Sequence, residues 1–279
     1  MARAAGENFP VASVVLPRGV RSHLLAVYGF ARLVDELGDA TDGAHGRLGP
    51  AERVAALDRL EGELDQAFAG HARHPLLVRL ARTVRECGLA REPFARLIEA
   101  NRVDQRVSRY QTWEQLRGYC ALSADPVGEL VLAIFGLATP ERVALSDSIC
   151  TALQLIEHCQ DVAEDLARGR VYLPLEDLAR HGCSESDLAA DHAGEALRAV
   201  LAFELKRARE LLADGMPLLS QLRGRPKLAV AAFVAGGLAA AEAIARARYD
   251  VLAGPPRAGR ARRALALGAT LRASRSAAV

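Results

Sequence analysis

Two pairs of aspartates with the same spacing indicate metal-assisted chemistry. Asp35 and Asp39 are four residues apart, as are Asp161 and Asp165, and both pairs lie in stretches with helical patterning. Residues four apart share one face of a helix about 6 Å apart along its axis, so each pair can direct two carboxylates at one point. Hard divalent cations such as Mg²⁺ suit oxygen-rich sites and keep waters or substrate phosphates as further ligands. The pattern favours Mg²⁺-assisted chemistry on a phosphorylated or diphosphorylated substrate.

Charged neighbours strengthen this interpretation. Arg32 is three residues before Asp35 and shares its helix face, where a guanidinium can bind diphosphate oxygens. Glu157 precedes Asp161 by four residues, which predicts an acidic stripe about 12 Å long on one helix. Like charges at this spacing lower helix stability by a few tenths of a kcal/mol per pair, on the order of what a functional site tolerates. For either pair taken alone, a solvated helix face is the alternative.

Three further features have both a functional and a structural interpretation. The stretch 101–106 predicts Asp104 and two arginines on one helix, where they would extend the metal and diphosphate site or form surface salt bridges. His158 is interpreted as an oriented helix histidine and not as a metal ligand. An aromatic wall could stabilise a carbocation, although the same residues would serve as core. Its candidate members are Tyr28, Phe30, Tyr119, Phe233 and Tyr249.

Composition narrows the class of protein. Of 279 residues, 51% are apolar and only 5% aromatic, which is typical of helical proteins. The net charge of +2 argues against a nucleic-acid partner. Five scattered cysteines without zinc spacing indicate a reducing compartment, and the N-terminus has no apolar signal core. We therefore expect a cytoplasmic protein, either free or in peripheral contact with the inner face of the membrane.

A basic run near the C-terminus has three interpretations. It would hold an anionic substrate, touch a membrane surface, or form a solvated tail. Its members are Arg257, Arg260, Arg262, Arg263, Arg272 and Arg275.

Helical periodicity extends through the chain, and no strand pattern with hairpin turns occurs. We predict one all-α domain over residues 1–279, with flexible ends at 1–10 and 273–279. The apolar run 228–241 is too short for a membrane span and predicts a buried helix. The predicted helices cover 16–37, 51–68, 75–87, 93–109, 113–122, 126–135, 140–166, 184–189, 195–212, 227–251 and 260–272.

The two acidic stretches resemble the motifs of the squalene/phytoene synthase family. Residues 28–39 resemble Y-x-F-x-R-x-x-D-D-x-x-D, and residues 154–174 resemble Q-L-x-N-x-x-R-D-x-x-E-D followed by R-x-Y-L-P. Within the family the chain is most similar to the HpnC-type hydroxysqualene synthases of bacterial hopanoid pathways. That similarity rests on 7–12, 101–110, 119–128, Gln160-Asp161 and, for the family as a whole, 249–252. It implies an isoprenoid-synthase-type helical bundle around a central cavity.

The resemblance also implies roles for individual residues. The metal ligands that it implies are Asp35, Asp39, Glu157, Asp161 and Asp165. The catalytic residues that it implies are the same four aspartates together with Tyr119. Its substrate-binding residues are Tyr28, Arg32, Arg106, Arg109, Gln154, Gln160, Arg170 and Tyr249. The chain departs from the family pattern at Glu36, Glu157 and Asp125. Gln160 replaces an arginine of other branches, which bears on diphosphate binding and on the first condensation of two farnesyl diphosphates.

The activity implied is conversion of presqualene diphosphate to hydroxysqualene. Mg²⁺ would assist departure of diphosphate, water would capture the cation, and no NADPH would be needed. The expected partners are the prenyl diphosphate, a presqualene diphosphate synthase that hands it over, and a membrane surface. One alternative is condensation of two farnesyl or geranylgeranyl diphosphates to presqualene diphosphate, squalene or phytoene. Another is a non-catalytic family member that acts in binding or assembly.

Overall fold

The computed structural model describes residues 16–39 and 48–276, and this part of the chain is all-α. It contains fourteen helices and no β-strand, only an isolated bridge between Arg109 and Val171. The predicted fold class is confirmed. The helices are α1 Arg18–Gly38, α2 Pro50–Phe68, α3 Pro75–Cys87, α4 Glu92–Val103, α5 Trp113–Ser123, α6 Asp125–Ile134, α7 Pro140–Gln160, α8 Val162–Ala167, α9 Leu175–Arg180, α10 Glu185–Leu188, α11 Glu195–Gly215, α12 Pro217–Gln221, α13 Gly224–Arg246 and α14 Arg260–Ser276.

The described residues form two compact units that alternate along the chain. The N-terminal unit contains residues 16–39, 48–107 and 121–143, and the C-terminal unit contains residues 108–120 and 144–276. The single domain over 1–279 and its central cavity stay predictions. The motif at 7–12 and the proposed flexible end at 1–10 lie outside the described residues. The other proposed flexible end, 273–279, is wrong for 273–276, which belong to α14 with Ser274 buried.

In the N-terminal unit, α1 packs against α2, α3, α4 and α6. Its core contains Phe30 and Phe94, which are fully buried and meet edge to face at 5.2 Å. Local sequence sets the helix ends. Pro50 and Pro75 occupy first turns, where a missing N–H costs nothing, and α3 stops at Gly88 in the left-handed region, φ 64°.

In the C-terminal unit, the predicted buried helix is confirmed as α13. It is long and apolar enough to span a membrane, but 61% of its most apolar window is buried within the protein, which is typical of a core helix. Gly237 allows α13 to approach α7, because a Cβ there would collide with the Leu153 side chain.

Two predicted helices end earlier than expected, and a third is divided in two. Helix α4 stops at Val103 instead of 109, so Arg106 and Arg109 lie beyond it. The helix predicted over 140–166 is two helices, α7 and α8, which meet at Asp161 with φ −104° and ψ 21°. Helix α13 stops at Arg246, and Tyr249 follows with a φ of 60°. Two short helices, α9 and α12, were not predicted because single-turn helices carry no periodicity.

Candidate active site

The first acidic group lies at the C-terminal end of α1. Arg32 Nη1 is 3.8 Å from Asp35 Oδ2, which confirms that the two share a face. Asp39 follows the last helical residue, and its N–H donates to the Asp35 carbonyl at 2.8 Å. Asp39 thus lies just beyond α1, which agrees with the helix predicted over 16–37, and the backbone bond preserves the four-residue spacing of the two aspartates. Tyr28 lies one turn before Arg32 and is partly buried.

Helix α4 and the turn after it hold this helix end through amide side chains. The Asn101 amide reaches Asp35 Oδ1 at 3.5 Å, and Gln105 Nε2 donates to the Gly38 carbonyl at 3.0 Å. The approach requires a glycine, since a Cβ at Gly38 would collide with Asn101. The sequence pattern of this stretch indicates a role for Asp104 and its arginines, and it gives no signal that the two amides fix the end of α1.

Burial raises the pKa of Asp35 to about 6. The Arg32 charge and the Asn101 hydrogen bond oppose this rise, while Asp39 and Asp104 add to it. The Asp35 side chain is nevertheless 49% exposed, so a cation can reach the carboxylate. Of the two alternatives for the stretch 101–106, Asp104 adds to the acidic neighbourhood of Asp35. The two arginines of this stretch form salt bridges, Arg102 with Asp58 and Glu61 and Arg106 with Glu99.

The second acidic group surrounds the α7–α8 junction. The Asp161 N–H donates to the Glu157 carbonyl at 2.9 Å, and the Asp165 N–H donates to the Asp161 carbonyl at 2.8 Å. The predicted continuous helix is thus interrupted at Asp161, whose dihedral angles leave the helical range. The backbone hydrogen bonds between residues four apart continue through this point. Burial raises the pKa of Asp161 to about 6, and the like charges of Asp165 and Glu164 add to the effect.

A cluster of rings lies beside the second group. His158 stacks on Tyr172 with centroids 4.0 Å apart and planes 11° apart, and Tyr119 lies 5.4 Å from Tyr172. The Gln154 amide hydrogen-bonds to His158 Nε2 at 3.2 Å, and His158 Nδ1 is 3.9 Å from Asp165 Oδ2. His158 is therefore an oriented helix histidine, as predicted. Its ring links the aromatic cluster to the acidic group.

The ring cluster differs from the predicted aromatic wall, and for Phe30 the alternative of a core residue applies. Phe30 is a core residue packed on Phe94. Tyr110 and Tyr172 both contact Tyr119, at 5.4 Å each, and neither was assigned to the wall. Both lie in irregular segments outside the helices, where periodicity gives no signal. Only the R-x-Y-L-P motif could have identified Tyr172.

Several predicted substrate-binding residues have protein partners. Arg109 donates to both Glu185 carboxylate oxygens, at 2.7 and 2.8 Å, and to the Gly169 carbonyl at 2.6 Å. Arg106 pairs with Glu99 at 2.5 Å, and Gln160 donates to the Pro256 carbonyl. These contacts direct the three side chains to protein groups, so their roles toward substrate stay predictions. The roles of Arg170 and Tyr249 toward substrate also stay predictions.

The carboxylates of the two acidic groups fit Mg²⁺ if water and phosphate oxygens complete the metal's coordination shell. Within residues 16–39 and 48–276, no group of three or more His, Cys, Asp or Glu side chains lies close enough together to hold a metal ion by itself. Mg²⁺ commonly takes only one or two carboxylates and completes its shell with water and phosphate oxygens. Each aspartate pair offers that number of carboxylates, and the raised pKa values mark charges that a cation would neutralise.

A third acidic group was missed by the sequence analysis. Asp177 on α9 and Glu204 on α11 are fully buried, and Arg207 Nη1 donates to both, at 2.9 and 2.7 Å. The guanidinium also lies over the Trp113 and Phe203 rings, at 4.6 and 4.8 Å. Burial raises the pKa of Glu204 to about 8. The spacing of Glu204 and Arg207 is typical of a surface ion pair, so nothing in the sequence distinguished it.

Comparison with known proteins places the chain in a family. The squalene/phytoene synthase family model matches residues 2–265. Hydroxysqualene synthase from Rhodopseudomonas palustris is 34% identical over 218 residues, which cover 78% of this chain and 72% of that protein. Phytoene synthase from Arthrospira platensis is 33% identical over 221 residues, which cover 73% and 68%.

Solved structures agree with this placement. The crystal structure of squalene synthase HpnC from Alicyclobacillus acidocaldarius is 45% identical, with a TM-score of 0.79, and the match covers 90% of this chain and 92% of that one. A dehydrosqualene synthase superimposes with a TM-score of 0.85 at 22% identity, which shows a common fold. This chain therefore belongs to the squalene/phytoene synthase family, whose enzymes act on prenyl diphosphates, and it resembles the HpnC type within that family.

Proposed function

We propose that this chain converts presqualene diphosphate to hydroxysqualene. The observation that carries the proposal is the similarity to the HpnC type, with 45% identity to squalene synthase HpnC across 90% of the chain and 34% identity to two hydroxysqualene synthases. Gln160 in place of arginine supports the same branch. In the reaction, the C–O bond to diphosphate breaks and diphosphate keeps the electron pair. Water then forms a new C–O bond with the rearranged cation and loses a proton.

The carboxylates of the first and second acidic groups would hold Mg²⁺. Asp35 with Asp39, and Asp161 with Asp165 and Glu157, present the carboxylates. Mg²⁺, when bound, supplies the charge neutralisation that makes diphosphate a good leaving group. The support is electrostatic: burial and like charges destabilise the ionised aspartates, and a cation in place of a proton removes that cost.

The remaining side chains would bind and shield the substrate. Arg32, 3.8 Å from Asp35, would bind diphosphate oxygens beside the carboxylate. Tyr119 and Tyr172 would present aromatic faces, which attract a carbocation and exclude water from all but the reacting centre. His158, stacked on Tyr172, would keep that ring in position.

A single incubation tests the proposal. The purified protein is mixed with presqualene diphosphate and Mg²⁺ without NADPH, and the lipid extract is examined by mass spectrometry. Hydroxysqualene that forms with Mg²⁺ and not with a chelator is the expected result. The absence of any product from presqualene diphosphate would overturn it.

A second candidate is the condensation of two farnesyl or geranylgeranyl diphosphates. Phytoene synthases that are 33–34% identical favour it. Formation of presqualene diphosphate, squalene or phytoene from those substrates alone would assign the chain to this branch. Under the first candidate, a separate synthase supplies presqualene diphosphate in the cytoplasm, so hand-over between the two enzymes is part of the proposal.

A further inference from the structure

We propose that Arg198 and Asp250 are positioning residues that hold Tyr249 in the strained conformation in which it binds the substrate. The inference deepens the proposed function, since it rests on the predicted role of Tyr249 in substrate binding. The two charged residues act through Tyr249 and do not touch the substrate themselves. Neither of them belongs to the acidic groups or to the ring cluster.

Tyr249 has a backbone conformation that is costly for any residue with a side chain. Its φ is 60° and that of Arg248 is 53°, and among residues 16–39 and 48–276 all other positive φ values belong to glycines. In this left-handed region the Cβ comes too close to the following carbonyl oxygen. Such strain persists only where the surrounding structure holds the segment in place, and it concentrates at functional sites.

The end of α13 accounts for the first of these two residues and not for the second. The Arg248 N–H donates to the Ala245 carbonyl at 3.0 Å, and the Tyr249 N–H donates to the Ile244 carbonyl at 2.9 Å. These two bonds form a Schellman motif, in which the residue after the helix cap takes the left-handed conformation. Arg248 occupies that position. The motif sets no such requirement for the next residue, so the conformation of Tyr249 needs a separate cause.

Arg198, in the first turn of α11, holds the backbone before Tyr249. Its Nη1 donates to the Arg248 carbonyl at 2.8 Å, and its Nε donates to the Ala193 carbonyl at 2.7 Å. The Arg248 carbonyl belongs to the peptide plane that precedes Tyr249, so this bond restricts the φ of Tyr249. One guanidinium thus joins the end of α13 to the turn before α11.

Asp250 holds the backbone after Tyr249. Its Oδ1 accepts the Ala193 N–H at 3.0 Å, and its Oδ2 lies 2.9 Å from His192 Nδ1 and 3.7 Å from Arg198 Nη2. The Ala193 hydrogen bond lowers the pKa of Asp250, with further lowering by His192 and Arg198, so the carboxylate is ionised at neutral pH. Tyr249 is therefore held on both sides by the same turn.

The segment that follows Tyr249 reaches the second acidic group. The Pro256 carbonyl accepts a hydrogen bond from the side chain of Gln160, the last residue of α7, which precedes Asp161. The strained turn thus lies in a segment that is fixed to α11 at one end and beside the proposed metal site at the other. A glycine at position 249 would form the same turn without strain. The strain therefore fits a role of the tyrosine side chain in substrate binding better than a role in stability.

A double-mutant cycle with a prenyl diphosphate analogue tests the proposal. Titration calorimetry in Mg²⁺ buffer measures the Kd of farnesyl thiodiphosphate for wild type, R198A, Y249A and R198A/Y249A. We expect R198A and Y249A each to weaken binding about tenfold, which is a usual size for coupled residues. The double variant should lie within about twofold of Y249A, because Arg198 acts only through Tyr249. Losses that multiply to about a hundredfold would leave Arg198 a structural role alone and overturn the proposal.

Arg246 is the matched control at the same helix end. It is exposed and pairs with Glu242 one turn earlier, so R246A should bind the analogue within about twofold of wild type. D250N is the milder second variant, because it keeps an acceptor for the Ala193 N–H and loses only the charge. It should weaken binding about threefold in the wild-type background and not at all in Y249A. Circular dichroism checks that each variant is folded. Wild-type affinity in both R198A and D250N, or an equal loss in R246A, would contradict the positioning role.

Binding of the analogue requires no turnover, so failure of the reaction and failure of this inference give different results. A chain that binds the analogue with the expected cycle and forms no hydroxysqualene would refute the reaction and keep the inference. A chain that forms hydroxysqualene but shows multiplying losses in the cycle would refute the inference alone. Wild type that does not bind the analogue would also overturn the inference.

Discussion

Two acidic groups of the C-terminal unit make opposite use of buried charge. Asp177 and Glu204 are fully buried, yet Arg207 donates to both and its guanidinium is enclosed by aromatic rings. Asp161 is surrounded by the like charges of Asp165 and Glu164, and His158 and Arg168 only partly oppose them. In the group of Asp177 and Glu204, burial raises the pKa of Glu204 to about 8, so Glu204 is protonated at neutral pH, and Arg207 and Arg180 balance the charge of Asp177. The other keeps unfavourable charge that an external cation would relieve, which is the property expected of a binding site.

The largest effect should come from Asp161→Asn. The substitution preserves size and removes a carboxylate from the proposed metal site, so we expect product formation to fall by about a thousandfold, or roughly 4 kcal/mol of barrier. Glu164→Gln is the matched control, because Glu164 is exposed, close to Asp161, and paired with Arg168. Turnover of presqualene diphosphate measures both. Equal losses in the two variants would show that local charge, and not the Asp161 carboxylate itself, matters.

A substitution in the group of Asp177, Glu204 and Arg207 should lower the free energy of unfolding. Arg207→Leu removes the cation beside the buried Glu204 and one of the two arginines paired with Asp177, since Arg180 also lies 2.9 Å from Asp177. Breaking such a group costs about 3 kcal/mol, or about 10 °C in Tm. Arg168→Leu removes an exposed pair within α8 and should cost about 0.5 kcal/mol or less. Thermal unfolding by circular dichroism checks both. A Tm of R207L within 2 °C of wild type, or about 0.5 kcal/mol, would contradict the structural role assigned to this group.

The difference between the two acidic groups explains which of their residues could be predicted from the sequence. The aspartate pairs were found because i,i+4 spacing survives even where the helix breaks at Asp161 or ends before Asp39. Glu204 and Arg207 were missed because burial is a tertiary property, and the same spacing on an exposed helix would be a surface ion pair. Tyr110 and Tyr172 lie in irregular segments and meet Tyr119 only after folding. Arg106 and Arg109 were assigned to a helix that ends at Val103, since periodicity does not mark a helix end.

His158 offers a smaller test of how the open group is positioned. Its ring stacks on Tyr172, so His158→Leu should lower kcat/KM about tenfold, or about 1.4 kcal/mol. His158→Phe keeps an aromatic ring on Tyr172 and should recover at least half of the loss in logarithmic terms. Steady-state kinetics separates kcat from KM, and the Tm of both variants checks folding. Equal kcat/KM values for the leucine and phenylalanine variants would exclude stacking as the reason for the loss.

The smallest effect distinguishes the two groups by their response to Mg²⁺. The pKa of Asp161 is raised from 3.8 to about 6, so the folded state binds the proton more tightly than the unfolded state. Stability from this residue is greatest at low pH and is lost as pH rises from about 4 to about 6. Without metal at pH 7.5, D161N should therefore be about 1 kcal/mol more stable than wild type and should match it at pH 4.

Mg²⁺ should stabilise wild type and Glu204→Gln equally and D161N least, because Glu204 already lies beside the cation of Arg207. Urea unfolding with Mg²⁺ or a chelator measures all three proteins, and a loss of the Mg²⁺ response in E204Q with its retention in D161N would reverse the assignment of the two groups.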